Sequence, residues 1–185
     1  TYSETVFVEC LYGYDKAMKY INGQRRNVQN DRPVIGVFGV KKEGSGDMYY
    51  KGANMLQTIR AVIDDDEKWR SILRGLNTDL GLKTTTTEEV VSYINAKAKK
   101  DLTKIFDQYL KFTAIPTLEI RTEKNGSVSY RWRANVQDFD MPVKVKLSGN
   151  SAGKFIYPTT EWKTIKAKSL LADTDNFYIR TEHLE

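Results

Sequence analysis

The run Asp101-Leu102-Thr103-Lys104-Ile105-Phe106-Asp107-Gln108-Tyr109-Leu110-Lys111-Phe112-Thr113-Ala114-Ile115-Pro116-Thr117-Leu118-Glu119-Ile120 contains the change of hydrophobic period on which the fold class rests. Leu102, Ile105, Phe106, Tyr109 and Leu110 fall at i, i+3, i+4, i+7 and i+8, the spacing that lines one face of a helix. Asp101 stands where it can cap that helix. Beyond Thr113-Ala114-Ile115-Pro116 the period shortens to two, with Leu118 and Ile120 alternating with polar residues as on a strand with one buried face. The prediction is an α+β chain, with a helical array over residues 1–115 and an antiparallel β-sandwich over residues 116–185.

Outward from that junction the two halves keep their periods. On the strand side, Lys124-Asn125-Gly126-Ser127 carries Asn-Gly, the strongest short hairpin signal. Val128, Tyr130, Trp132 and Ala134 alternate on the returning strand. Met141 to Leu147 is another one-sided strand, closed by a turn at Ser148-Gly149-Asn150. Shorter strands are expected near residues 153–157, 162–167 and 177–180. On the helical side, Thr86-Thr87-Glu88-Glu89 holds a Thr-x-x-Glu capping box ahead of Val90, Val91 and Ile94. Asp64-Asp65-Asp66 reads as a helix end and the cap of the next helix, about Glu67 to Gly75. Val6, Phe7, Cys10 and Leu11 predict the apolar side of a first helix. Ala17, Met18 and Ile21 do so for a second, from Asp15 to Asn27. Val34 to Val40 is apolar but broken by glycines, and reads as extended backbone.

Composition limits the chemistry. Hydrophobic residues make up 40% and charged residues 29% of the 185, a globular balance with enough apolar mass for a core. No apolar run approaches the roughly 18–20 residues that cross a bilayer, so no membrane span is expected. The net charge of +5 is spread over scattered lysines without interleaved aromatics, so nucleic acid is not an expected partner. Cys10 is the single cysteine and His183 the single histidine. Without a second thiol there is no internal disulfide. Without a base near a nucleophile there is no usual serine or cysteine site, and no usual metal site either. There is no phosphate-binding glycine loop.

The stretch Asp47-Met48-Tyr49-Tyr50-Lys51-Gly52-Ala53-Asn54-Met55-Leu56 follows the loose run Lys41 to Gly46 and opens an amphipathic helix with Met55, Leu56, Ile59, Val62 and Ile63 inward. A tyrosine at such a mouth has its hydroxyl near solvent and can donate to an oxygen that gains charge in a reaction. It can equally close the helix entrance by packing.

Tyr49-Tyr50-Lys51-Gly52-Ala53 resembles the Tyr-x-Lys-Gly element of the gluzincin aminopeptidases, the family of aminopeptidase N and the leukotriene-hydrolysing aminopeptidases. Asp101-Leu102, Phe106 and Gln108-Tyr109-Leu110 resemble that family's Asp-Leu…Phe-Phe-x-Gln-Trp-Leu helix, with Tyr109 for the usual Trp. Ile115-Pro116-Thr117-Leu118 resembles its Gly-x-Pro entrance to a β domain, with Ala114 for Gly. Thr1-Tyr2-Ser3-Glu4 resembles the tail of its Glu-Gly-Phe-Ala-x-Tyr-x-Glu segment. The resemblance implies the C-terminal part of a thermolysin-like catalytic domain followed by a β-sandwich. It implies a zinc metallopeptidase acting on the N-terminal bond of a peptide substrate, with the zinc held by His-Glu-x-x-His and a downstream glutamate. None of these is in this sequence, so the metal belongs to the parent enzyme and the missing N-terminal part is the partner. Tyr49 is then the donor to the tetrahedral oxyanion, and Glu4 a carboxylate that supports the metal shell through a hydrogen bond. Lys51 and Gly52 are structural, Gly52 by allowing close helix packing. The residues alone are expected to be inactive. No compartment is read from them. The alternative is a non-enzymatic module docking a protein or glycan, with Tyr49 packed inside and a patch around Trp132, Tyr157 and Trp162.

Overall fold

The computed structural model describes residues 1–37, 39–40, 44–148 and 152–185. The expected extended segment at Phe38, the loose run at Lys41-Lys42-Glu43 and the turn at Gly149-Asn150 lie outside the described residues. Among the described residues six helices come first: α1 (Tyr2–Tyr12), α2 (Tyr14–Gln24) with a 3-10 turn at Arg25–Asn27, α3 (Asp47–Ile63), α4 (Asp66–Asp79), α5 (Thr87–Ala98) and α6 (Thr103–Lys111). Seven strands follow: β1 (Thr117–Thr122), β2 (Val128–Arg133), β3 (Val143–Leu147), β4 (Lys154–Ile156), β5 (Lys163–Ile165), β6 (Leu170–Ala172) and β7 (Arg180–Leu184). The chain is thus α+β.

The local signals act where their chemistry says. Thr86 accepts from the Glu89 amide while the Glu89 carboxylate accepts from the Thr86 amide, so the capping box is complete. Asp65 caps α4 by accepting from Lys68 N, while Asp64 adopts the left-handed conformation that ends α3. Asp101 accepts from Thr103 N at the start of α6. The Asn125-Gly126 turn joins β1 to β2, with Gly126 at φ 78° and Asn125 accepting from Ser127 N.

The strands form two sheets, ordered β5-β2-β1-β7 and β4-β3-β6. The all-antiparallel expectation fails at one edge, where β7 runs parallel to β1. After β2 the chain passes to the second sheet for β3 and β4, returns for β5, crosses again for β6 and comes back as β7, with Arg180 N donating to Pro116 O, so β7 starts beside the start of β1. Such a crossover is what a parallel pairing requires. β6 was not predicted, and the strand expected at 177–180 begins at Arg180 instead. Phe177, Tyr178 and Ile179 precede it as buried residues. One apolar cluster runs from Ile59, Trp69 and Tyr109 in the helices to Trp132, Val143 and Phe177 among the strands. Tyr109 locks the two parts together: its hydroxyl donates to Tyr178 O at 2.6 Å.

Three further expectations are corrected. The expected apolar side of α1 faces outward: Phe7 is 61% exposed, Val6, Cys10 and Leu11 are also exposed, and Tyr2 and Thr5 are the buried pair. The second helix, expected from Asp15 to Asn27, is α-helical to Gln24 and tightens to a 3-10 turn over Arg25–Asn27, where Arg25 bonds Asn54 Oδ1, Thr174 O and Asp175 O. A Cβ on Gly52 would meet nothing within 4 Å, so close packing is not the reason for that glycine.

Candidate functional site

The first turn of α3 shows why Tyr49 points where it does. Residues two apart on a helix are about 200° apart around the axis, whereas i and i+4 share a face. Asp47 and Lys51 are such an i, i+4 pair, and both are buried, at 2% and 0% exposure. Tyr49, midway between them, is therefore turned outward and is 57% exposed. Among the described residues its hydroxyl has no hydrogen-bond partner, while its amide donates to Gly46 O.

The buried pair is held by backbone groups from elsewhere in the chain. Asp47 accepts from Gln29 N at 2.8 Å and from Asn30 N at 2.6 Å. The Lys51 ammonium donates to Phe112 O at 2.8 Å and Thr113 O at 2.7 Å, the two carbonyls that follow α6. Burial pushes the Lys51 amine down to about 8, against the pull of Asp47. Ser45 adds a third tie by donating to Asp31 Oδ1 and accepting from Asp47 N.

Tyr49 borders a hollow of about 260 Å³ whose wall also includes Thr1, Met48, Gly52, Leu56 and Leu110. The start of the chain and the exposed phenol thus line one concavity, and Gly52 lies at its edge. Glu4 is on the exposed side of α1, where it accepts from Tyr20 of α2 at 2.8 Å. Cys10 and His183 are both exposed, on α1 and β7. Among the described residues no three His, Cys, Asp or Glu side chains converge on a cation position, so these residues by themselves do not fit a zinc ion. What the hollow offers chemically is a phenolic O–H donor on a fixed helix turn.

The aromatic patch named for the binding-module alternative does not assemble. Trp132 is core, edge-on to Phe139, with its Nε1 donating to Met141 O. Tyr157 is exposed. Trp162 is wedged between Arg121 and Arg131, whose guanidinium carbons lie 4.7 and 4.6 Å from its ring centre.

Sequence reasoning missed several structural polar residues. Gln108 is fully buried: its Nε2 donates to Ala114 O and its Oε1 accepts from Asn135 N and Val136 N. Its signal was a lone amide beside the apolar stripe of α6. Arg60 joins Glu9 of α1 to Asp66 of α4, a role that a helix-surface arginine does not announce. A larger cleft of about 890 Å³ opens between α2, β3 and the residues after β6.

No protein-family model and no curated protein sequence matches the chain. Among solved structures, the chain is similar to the crystal structure of Legionella pneumophila aminopeptidase A in complex with aspartic acid. The TM-score is 0.73 at 17% sequence identity, over 100% of this chain and 23% of that one. The likeness is one of fold, and the chain spans about a quarter of that protein's length.

Proposed function

We propose that these residues are the C-terminal portion of a zinc aminopeptidase of the gluzincin type, which hydrolyses N-terminal peptide bonds. In this reading residues 1–115 are the helical remainder of a thermolysin-like catalytic domain and residues 116–185 a β-sandwich behind it. The zinc ligands and the general base lie on a segment outside these 185 residues, and that segment is the chain's main partner. The outward apolar side of α1 is consistent with such a partner, since contiguous exposed apolar patches mark interaction sites. The 185 residues alone are inactive.

One observation carries the reading: Tyr49 is exposed, unbonded among the described residues, and borders the same hollow as Thr1. The likeness in fold to an aminopeptidase supports it. Tyr49 acts by donating its O–H to the oxygen that becomes negative when the peptide carbonyl is attacked. Such a donor lowers the barrier because the charge develops only in the transition state. Glu4, which accepts from Tyr20, is proposed to support the metal shell through a hydrogen bond.

The test is Tyr49→Phe in the enzyme that carries this chain together with its metal-binding segment. Loss of one oxyanion donor lowers kcat by about 10²–10³ with little change in KM. Unchanged hydrolysis of an aminoacyl amide, or a parent protein free of zinc when purified active, overturns the proposal.

A further inference from the structure

We infer that Asp47 and Lys51 are positioning residues for the Tyr49 phenol, clamping the first turn of α3 from its buried side so that the exposed hydroxyl keeps one place. The inference rests on the catalytic role proposed for Tyr49.

The first turn of a helix is its least secure part, because its amides have no partners within the helix. In α3 the residue before the helix is Gly46, whose lack of a side chain leaves no cap of its own. The turn that bears Tyr49 is capped from Ser45 instead, whose Oγ accepts from Asp47 N and whose carbonyl accepts from Met48 N, and it is also anchored from its buried side. Two ionic side chains hold it, one on each side of Tyr49 in sequence and both on the opposite face in space. Asp47 fixes the turn to the backbone at Gln29 and Asn30, and Lys51 fixes it to the backbone at Phe112 and Thr113. These anchors belong to two different segments, so together they set both the tilt and the rotation of the turn.

Lys51 meets a need for two donors at this point, since Phe112 O and Thr113 O both accept from it. An ammonium at zero exposure is costly to bury, and the two carbonyls that an apolar side chain would leave unpaired offset that cost. The ammonium does what methionine cannot: it bonds two carbonyls at once and fixes their distance from α3. Positioning of this kind matters for rate, since a misplacement of about 1 Å at a reacting centre can cost about 10²-fold.

A double-mutant cycle in the full enzyme tests the clamp, with an aminoacyl chromogenic amide as substrate. Lys51→Met is expected to lower kcat by about 10–100-fold with KM within about twofold. On the Tyr49→Phe background the same change is expected to cost no more than about twofold, because the group it positions is gone. Asp47→Asn, which keeps the shape but replaces one of the two acceptor oxygens by a donor NH2, is run through the same cycle, so the question stays answerable if Lys51→Met does not fold. Equal losses on both backgrounds overturn the clamp, as does full activity in both single variants. An undiminished rate in Tyr49→Phe alone sinks the catalytic role of Tyr49 and the clamp with it. A loss in Tyr49→Phe with additive losses elsewhere sinks only the clamp.

Discussion

Arg60→Met is expected to destabilise the chain by about 3–4 kcal/mol at neutral pH. The guanidinium grips two carboxylates as a double fork: Glu9 on α1 and Asp66 at the start of α4, with the Asp66 contacts both 2.8 Å. The two halves of this grip are unequal. The Glu9 side chain is 15% exposed, and breaking a buried pair of that kind costs about 3–5 kcal/mol. Asp66 is 53% exposed and reverts to water, so its share is about 0.2–1 kcal/mol. Arg70, 3.4 Å from Glu9, keeps partial compensation, which puts the sum at the lower end. For a chain of this length the loss lowers Tm by about 6–16 °C. Urea unfolding followed by tryptophan fluorescence measures it directly, because Trp69 Nε1 donates to Tyr2 in the same α1–α4 contact. The pH dependence supplies a second arm. The Arg60 bonds hold the Glu9 and Asp66 carboxyls below the usual range. A depressed carboxyl contributes stability that is present above its unfolded pKa and is lost as pH falls through the folded one. The gap between the native chain and Arg60→Met should therefore narrow below about pH 4. A gap under about 1 kcal/mol at pH 7, or one of constant size down to pH 3, would refute this account of α1 docking.

Other outcomes follow from the same geometry. Because the Lys51 amine is lowered to about 8 in the fold, the unfolded chain binds more protons between there and its ordinary value, so stability rises with pH above 8. Denaturant titrations from pH 7.5 to 9.5 should show that rise in the native chain and not in Lys51→Met. Tyr109→Phe leaves the buried Tyr178 carbonyl without its donor and should cost about 1–3 kcal/mol in the same assay. Gln108→Leu frees one carbonyl and two amides that partly reach water, for a loss of about 2–4 kcal/mol. Phe7→Gln with Leu11→Gln, on the outward side of α1, should change stability by no more than about 0.5 kcal/mol per site while reducing self-association in sedimentation.

Much of the scaffold was legible because its signals are local. The α6 stripe, the Thr86–Glu89 box and the Asn125-Gly126 turn each need only neighbours within a few residues, and each formed. The apolar side of α1 was misread for a reason that periodicity cannot remedy. Spacing says that Val6, Phe7 and Leu11 share a side; it does not say that anything covers it. β6, Leu170-Leu171-Ala172, carries no alternation of apolar and polar residues to mark it as a strand. The parallel β1–β7 edge depends on how the chain returns from a second sheet. The site divides in the same way. An exposed phenol at a helix mouth could be named from Tyr49 and its neighbours. The ions beneath it could not, because the acceptors of Lys51 are 61 and 62 positions away.

That division carries a consequence for how the turn at Tyr49 works. A charged residue in a sequence reads as solvated because desolvation is expensive. When a fold buries one, the reason lies in what the charge can bond that an apolar group cannot. Asp47 accepts two amides from one loop, and Lys51 donates to two carbonyls from another. All four bonds join side chain to backbone, so they hold the path of the chain and not merely a rotamer. The helix turn that carries Tyr49 is held from behind, and among the described residues its exposed phenol has no hydrogen-bond partner. The role proposed for Tyr49 needs such an anchored turn, since an oxyanion donor must be in place before the charge develops. If the anchors were removed and the phenol still acted at full rate, the preorganisation would have to come from that outside partner.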